Sequence, residues 1–330
     1  MPTLKDIAEK CGTSTATVSY VLSGRGTEKR VSPKMQQLIK NTAEEMDYRP
    51  RGRNRAALKY RVVVYFPLND LKMLLPSFWD GFNSAVNVET ASIDIILRPF
   101  EQNKLHLQRE LWNEEKHSAA VIISPGGLDL ATLAETHTAI PAVLLNRTLP
   151  DYASVSFDQL ESGRMAAKHA MKKGGSNISL VSSKPLFGVT WRGNAVLDCC
   201  RSNGVNLENN VYYADTSISA GYELGRKLIA EKRLTKVIVC TYDMTALGIS
   251  SALTEAGVSV GKDVQIIATS SGDEELLAHF TPPITVVDLR FRDVCQMAMR
   301  LAMDIATGRT SYPQDISIHP VMIYRRSCPM

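Results

Sequence analysis

With 330 residues, 44% of them hydrophobic and 22% charged, the chain exceeds what one hydrophobic core sustains and has the composition of a globular protein of two or three domains. No apolar run approaches the ~20 residues of a membrane-spanning helix and no secretory signal pattern is present, so a cytoplasmic location without a membrane partner is expected. The net charge of +4 is uneven: residues 1–61 carry 13 Lys and Arg against 6 Asp and Glu, while the remainder is net −3, which is the footprint of a nucleic-acid-binding head on a separate body.

In chain order, Leu4, Ile7 and Ala8 recur at helical spacing behind a capping pair, Thr3 and Asp6. Cys11-Gly12 ends this helix, because glycine accepts the left-handed backbone of a helix end. Thr13-Ser14 caps a second helix, Thr15–Leu22, whose apolar stripe is Val18, Val21 and Leu22. Helix, glycine turn, helix is the helix-turn-helix pattern, in which the second helix enters the major groove. The face opposite the stripe carries Thr15, Ala16, Thr17, Ser19 and Tyr20, side chains small or polar enough to meet base edges and phosphates. Thr3, Lys5 and Ser14, at the two helix starts, join these as candidate DNA contacts. The plain alternative is a solvated face on an ordinary helical bundle.

A loop follows in which Arg25, with Lys29 and Arg30, suits phosphate contact. Ser32-Pro33 starts a third helix, with Met35, Leu38, Ile39, Thr42, Ala43 and Met46 as its expected buried face and Tyr48 closing the small core. Arg49-Pro50 ends it. The next stretch, 51–59, is basic and includes Arg53 and Arg55. Read by itself, it is an interdomain linker.

The string D-I-A-x-x-C-G-T-S-x-A-T-V-S-x-V-L over residues 6–22 resembles the DNA-binding head of the lactose-repressor/galactose-repressor (LacI/GalR) family. The resemblance implies that the basic stretch is a hinge helix, ordered on operator DNA, with an apolar wedge in the minor groove. The usual spacing after the proline falls on Ala57, with Leu58 one place later. Leu58 is taken as the wedge, with Ala57 as the other register. In that family the position of Tyr20 is commonly arginine, so a relative's operator sequence does not transfer.

From residue 61 the pattern changes. Apolar runs at 62–66, 92–99, 119–124 and 142–145 alternate with helical segments at 77–88, 105–115 and 128–137. A second set has strands at 178–181, 211–214, 236–240 and 265–268, and helices at 160–172, 193–203, 220–230 and 244–256. This alternation implies right-handed βαβ units and parallel sheets. The expected fold is an all-α helix-turn-helix head plus an α/β body of two doubly wound lobes. The resemblance makes those lobes periplasmic-binding-protein-like, with 284–289 leading back into a first-lobe helix, 294–306, and 321–325 returning to the second lobe. The expected domains are a head at 1–49, a hinge at 50–60 and an effector-binding and dimerisation body at 61–330. The first lobe then comprises about 61–159 and 290–320, and the second about 160–289 and 321–330. Ile140–Arg147, Ser154–Asp158 with Gly163, and Val237–Leu247 continue the resemblance through the body.

Ligands of open α/β sheets sit beyond the carboxyl ends of the strands. That places Pro67, Asn69, Phe78, Ser124, Asn146, Tyr242, Asp243 and Ser270 on a cleft between the lobes. Arg192, ahead of the expected helix 193–203, matches the arginine that in this family commonly holds a sugar hydroxyl or an anionic group. A surface arginine at a helix start is the plain alternative. Trp191 and Phe78 are suited to stack on a sugar, although an isolated aromatic is more often core. The chain also departs from the family. Thr269-Ser270-Ser271 stands where a pair of aspartates is common, Leu289, counted among the expected effector-binding residues with Trp191 and Arg192, where glutamine is common, and Tyr242 where asparagine is common.

The six cysteines, at 11, 199, 200, 240, 295 and 328, form no C-x-x-C pair and no metal-ligand rhythm with histidine. No Gly-rich phosphate loop and no G-x-S-x-G elbow is present, so no enzyme activity, metal or cofactor is expected. The expected function is a homodimeric, sequence-specific transcriptional regulator acting as a repressor on a pseudopalindromic double-stranded operator, located with the nucleoid through that DNA. Its control would come from a carbohydrate-like small-molecule effector. The alternative is a cytoplasmic solute-binding sensor without a gene-regulatory role.

Overall fold

The computed structural model describes residues 2–22, 26, 29–46, 48, 60–68, 71–86, 93–113, 117–183, 191–270 and 274–330. Its contacts divide the chain into two compact units, Met1–Lys59 and Tyr60–Met330.

The first unit is helical: α1 (Leu4–Lys10), α2 (Thr15–Leu22) and α3 (Pro33–Glu45). At the start of α1 the Thr3 amide donates to the Asp6 carboxylate at 2.7 Å, and the Asp6 amide donates back to the Thr3 hydroxyl at 3.4 Å. A capping box of this kind is worth about 1 kcal/mol. The helix closes through Gly12 at φ +62°, with Thr13 N–H on the Ala8 carbonyl at 2.9 Å and Gly12 N–H on Glu9 at 3.3 Å. That pair of bonds satisfies carbonyls the helix end leaves free. Ser14 then caps α2, its hydroxyl accepting the Thr17 amide at 3.1 Å. Ile7, Ala8, Cys11, Val18, Val21, Ile39 and Ala43 are buried together between the three helices. Leu38, expected on the buried face, is 46% exposed. Neighbouring residues on a helix point about 100° apart, so Leu38 turns outward where Ile39 fills the core.

The second unit contains two six-stranded sheets. The first holds β1 (Tyr60–Pro67), β2 (Ile93–Phe100), β3 (Ala119–Ile123), β4 (Ala142–Leu145), β5 (Ala153–Phe157) and the late strand β11 (Asp315–Ile318), in the order β11-β5-β4-β3-β1-β2. All of its pairings are parallel, with Val62 opposite Ile95 on one side and Ala119 on the other. One face packs against α4 (Leu71–Val86) and α12 (Phe291–Ala306). The other packs against α5 (Arg109–Asn113) and α6 (Gly127–Glu135). Val62 and Val64 enter the first layer and Val63 and Tyr65 the second, which explains why β1 reads as an unbroken apolar run.

The second sheet holds β6 (Ile178–Ser182), β7 (Val211–Tyr213), β8 (Val237–Cys240), β9 (Gln265–Ser270), β10 (Thr285–Asp288) and β12 (Val321–Ile323), in the order β12-β10-β9-β8-β6-β7. Only β12 runs antiparallel to its neighbour. Helices α7 (Gln159–Gly174) and α8 (Trp191–Ser202) cover one face. Helices α9 (Ile218–Ala230), α10 (Asp243–Glu255) and α11 (Glu274–His279) cover the other. The chain passes between sheets three times, from β5 to α7, from β10 to α12 and from β11 to β12.

Four elements differ from expectation. The helix expected at 105–115 is a single 3-10 turn, Leu105–Leu107, followed by the short α5. The buried Asp129 carboxylate takes the amides of Asn103 and Leu105 at 2.7 and 2.8 Å, anchoring the chain before a continuous helix forms. α8 starts at Trp191, so Arg192 lies within its first turn rather than ahead of it. α11 and β11 were not anticipated; both are short, and β11 is half-exposed at a sheet edge.

Candidate DNA-reading face and ligand cleft

In the helix-turn-helix unit the fold turns Thr15 and Ala16 fully outward and leaves Thr17, Ser19 and Tyr20 half-buried, while Val18 and Val21 point into the core. Thr3, Lys5 and Ser14 are exposed. Several of these polar groups already have local partners. The Ser14 and Thr17 hydroxyls bond each other at 2.8 Å, the Thr3 hydroxyl bonds Asp6 at 2.9 Å, and Lys5 lies 3.9 Å from Glu9. Thr15 and Ala16 are the most open positions on the face. The Lys29 ammonium sits 5.8 Å from the centre of the Tyr20 ring. Arg25, Arg53, Arg55, Ala57 and Leu58 lie outside the described residues, so the minor-groove wedge is not placed.

In the body, each sheet repeats the strand order 2-1-3-4-5 with one late strand added at its edge. Such sheets have a switch point between their first and third strands, and ligands settle beyond the carboxyl ends there. Pro67 and Ser124 mark that point in the first sheet, Ser182 and Thr241 in the second.

The first-lobe wall is an amide and hydroxyl network. Ser124 and Asn146 both hold left-handed backbone, at φ +44° and +64°, a conformation that non-glycine residues adopt at some energetic cost and that concentrates at binding sites. The Asn146 amide reaches the Ser124 hydroxyl at 3.4 Å, and the Gln159 amide reaches the Asn146 side-chain oxygen at 3.2 Å. Gln102 donates to the Ser124 carbonyl at 2.8 Å, and Arg147 to the Asn146 backbone carbonyl at 2.6 Å. Gln102, Gln159 and Arg147 were absent from the expected set. Each lies one or two residues past a strand end, so applying the strand-end rule to every strand would have found them.

The second-lobe wall gathers Arg192, Tyr242, Asp243 and Ser270. Arg192 is 8% exposed, donates to the Thr241 carbonyl at 2.9 Å and stacks on Tyr242, its guanidinium carbon 4.5 Å from the ring centre. The Asp243 carboxylate accepts the Ser270 hydroxyl and the Met244 amide, both at 2.8 Å. Trp191 is 61% exposed beside them.

Two expected ligand residues belong instead to the core. Phe78 packs on Phe82 with ring centres 4.2 Å apart, and Leu289 is fully buried; both are part of the apolar layer under α12. Such apolar side chains gain more from that layer than from a wet cleft. Pro67 is buried at the end of β1, and Asn69 lies outside the described residues.

A separate cavity of about 220 Å³ lies at the opposite, amino end of β4, lined by His137, Thr138, Ile140, Asp151, Tyr152 and Tyr312 among others. The Tyr152 hydroxyl there is saturated by the Thr138 amide and the Leu133 carbonyl. The cysteines are free, and among them Cys200 and Cys328 are pushed up to about 11 by burial, which leaves them unreactive thiols. Among the described residues there is no cluster of His, Cys, Asp and Glu that suits a metal ion, and no helix is long and apolar enough to cross a membrane.

Comparison with known proteins agrees with both halves of this geometry. Residues 3–51 match the family described as bacterial regulatory proteins, lacI family, and residues 167–328 match the periplasmic binding protein-like domain. The HTH-type transcriptional repressor PurR of Erwinia tasmaniensis is 23% identical over 99% of this chain and 97% of its own length. A LacI family transcription regulator from Clostridium acetobutylicum superposes with a TM-score of 0.75 at 24% identity, over 81% of this chain and 99% of that one. The lac repressor dimer bound to operator and the anti-inducer ONPF superposes with a TM-score of 0.73 at 20% identity, over 100% of this chain and 99% of that one. A helix-turn-helix head that matches the regulator family, carried on a binding-protein-like body, distinguishes a regulator from a freestanding solute binder and from an enzyme. The head, residues 3–51, is that of the lacI family of bacterial regulatory proteins, and the chain is a DNA-binding transcriptional regulator.

Proposed function

We propose that the chain works in the cytoplasm as a homodimeric repressor whose two heads read the half-sites of a pseudopalindromic operator. The observation that carries this reading is the face of Thr15, Ala16, Thr17, Ser19 and Tyr20, open at Thr15 and Ala16, on a helix capped at Ser14, within a segment rich in Lys and Arg. Phosphate contacts from the basic residues position such a head, and the short side chains of the face specify sequence. Two-fold symmetry of a dimer matches the symmetry of a palindromic site. A relative seen as a dimer on operator with an anti-inducer supports the same arrangement here.

The effector is a small polar molecule, carbohydrate-like in size and hydrogen bonding, held between the Ser124–Asn146 wall and the Arg192–Asp243 wall. A neighbour in complex with cellobiose supports that class. Effector binding changes the balance between lobe arrangements, and the hinge transmits the change to the heads. By linkage, DNA binding shifts effector affinity by the same factor.

The test is selection from a random duplex pool by the full chain, followed by sizing of the complex. Recovery of a two-fold-related motif bound by two chains is expected. Enrichment of no motif, or of a single half-site bound by one chain, contradicts the reading.

A further inference from the structure

At the amino end of the first sheet, the cavity of about 220 Å³ stands apart from the strand ends that form the ligand cleft. β4 is four residues long, so about 10 Å of strand separate the cavity from the carboxyl end, where Asn146 stands. Three of its described lining residues are aromatic, His137, Tyr152 and Tyr312, and one, Asp151, is a carboxylate. The His137 and Tyr152 rings lie 6.5 Å apart with their planes at 30°. Burial is the main reason that the Tyr312 phenol lies above its ordinary 10.0, and the charge of Asp151 raises it further, which sets that carboxylate near the Tyr312 ring.

The hydrogen-bond donors of the same walls are committed to the fold. The Thr138 amide donates to the Tyr152 hydroxyl at 3.2 Å, and the Thr138 hydroxyl to the Ile140 carbonyl at 2.6 Å. The Tyr152 hydroxyl donates to the Leu133 carbonyl at 3.1 Å, and the Tyr312 hydroxyl reaches the Ala142 carbonyl at 3.5 Å. The Ala139 amide is bonded to the Leu111 carbonyl at 3.0 Å, and Pro141 has no N–H. An anion or a sugar needs donors turned toward it. These walls offer the reverse: aromatic faces, which are negative, and a carboxylate, which only accepts.

We propose that this cavity is a second ligand site, for a compact organic ammonium ion held by the rings of Tyr312, Tyr152 and His137 and by the Asp151 carboxylate. An ammonium clothed in methyl groups suits both parts of the wall. Its charge is attracted by ring faces within about 6 Å, and its carbon surface displaces water from the aromatic lining. A cavity of about 150 Å³ holds benzene, so this one has room for an ion the size of choline. A hard metal ion fits less well, because the described walls supply one carboxylate rather than a cage of oxygens. The site is independent of the effector reading, since neither Ser124 nor Arg192 lines it.

The test uses the full chain at constant ionic strength, in calorimetric and thermal-shift titrations. The probes are choline, its carbon isostere in which a tert-butyl group replaces the trimethylammonium, and inorganic phosphate. A ligand specific for the folded chain raises the melting temperature by mass action. Choline is expected to bind saturably and about tenfold tighter than the isostere, without competition from phosphate. Asp151→Asn, at an exposed position, should lower choline affinity about threefold and leave melting of the unliganded chain unchanged. Tyr312→Leu should lower the affinity further, while Tyr312→Phe, which keeps the ring, retains it. Arg192→Gln should bind choline as the parent does. The proposal is overturned if choline does not saturate, if the isostere matches it or if phosphate competes. It is also overturned if Asp151→Asn and Tyr312→Leu both bind choline as the parent does, or if Tyr312→Phe loses it as Tyr312→Leu does. Loss of binding in Arg192→Gln would put the cation in the cleft and overturn the site.

Discussion

Tyr20 differs from its neighbours on the reading face because a cation stands near its ring. The Lys29 ammonium, 5.8 Å from the ring centre, attracts the aromatic face weakly at an exposed site and brings a positive charge beside the phenol. Tyrosine offers one hydroxyl where an arginine offers a fork, so its contribution is a single polar contact and apolar area. Tyr20→Ala is therefore expected to lower affinity for the selected operator by about tenfold while leaving random-duplex binding near the parent value. Fluorescence anisotropy on the two duplexes measures this, and an equal loss on both would place the reading elsewhere. At the start of α1, the Thr3 backbone N–H first, and its hydroxyl second, hold the Asp6 carboxyl below its ordinary 3.8. A carboxyl depressed by folding stabilises the head above its unfolded value, and that contribution disappears as the pH falls through the lower folded value. Head melting followed by circular dichroism should fall on acidification below about pH 4, and less steeply in Asp6→Asn. The same acid sensitivity in both proteins would show that the capping box is not its source.

At the scale of elements, the pair α7 and α8 positions the second-lobe wall. A Cβ at Gly163 would overlap the Arg192 carbonyl oxygen and crowd the Ala195 side chain, so the helices approach as closely as they do because position 163 is glycine. Gly163→Ala should destabilise the body by about 1–3 kcal/mol through overpacking and weaken cleft ligands through Arg192. Chemical denaturation together with titration checks both effects, and a stable variant with normal binding contradicts the assignment. His169, on the same helix, is buried and its pKa lies below the ordinary 6.5; burial is the main cause, the Cys328 carbonyl opposes it, and Lys173 and Lys172 add to it. A histidine kept neutral by folding opposes the native state once the pH drops below 6.5, because the unfolded chain then binds more protons. Body stability should fall from about pH 7 to pH 5, and His169→Gln should flatten that slope. An unchanged slope assigns the effect to other groups.

Elements whose ends carry chemical signals were legible in the sequence. α2 occupies Thr15–Leu22 as expected because Ser14 caps it and Gly12 ends its predecessor. The α8 start was misplaced by two residues because Trp191 and Arg192 carry no cap signature. The placement of Ser124, Asn146 and Asp243 just beyond strand ends was legible, because the strands themselves were. The burial of Phe78 and Leu289 in the apolar layer was not, because a one-dimensional pattern does not show whether an apolar residue beyond a strand turns under a neighbouring helix. Gln102 and Gln159 lie two residues past the ends of β2 and β5, where the strand-end rule reaches them, but which acceptor each meets, Ser124 or Asn146, shows only in the fold.

At the scale of the whole molecule, the chain joins a basic reading head to a two-lobed body whose strand order is repeated, and the strand ends of the two lobes present different chemistry. Regulation then requires that occupancy of the body alter affinity of the head, a coupling typically worth about 1–3 kcal/mol. Phosphate neutralisation by the head makes binding fall with salt, whereas base reading makes it depend on sequence. Sequence-specific DNA binding is measured most directly by the affinity of the full chain for the selected duplex and for a scrambled duplex across a salt series. Log affinity for both is expected to fall linearly with log salt, with the selected duplex bound about a thousandfold or more tighter at physiological salt. Equal affinity for the two duplexes, or affinity that does not change with salt, would contradict it.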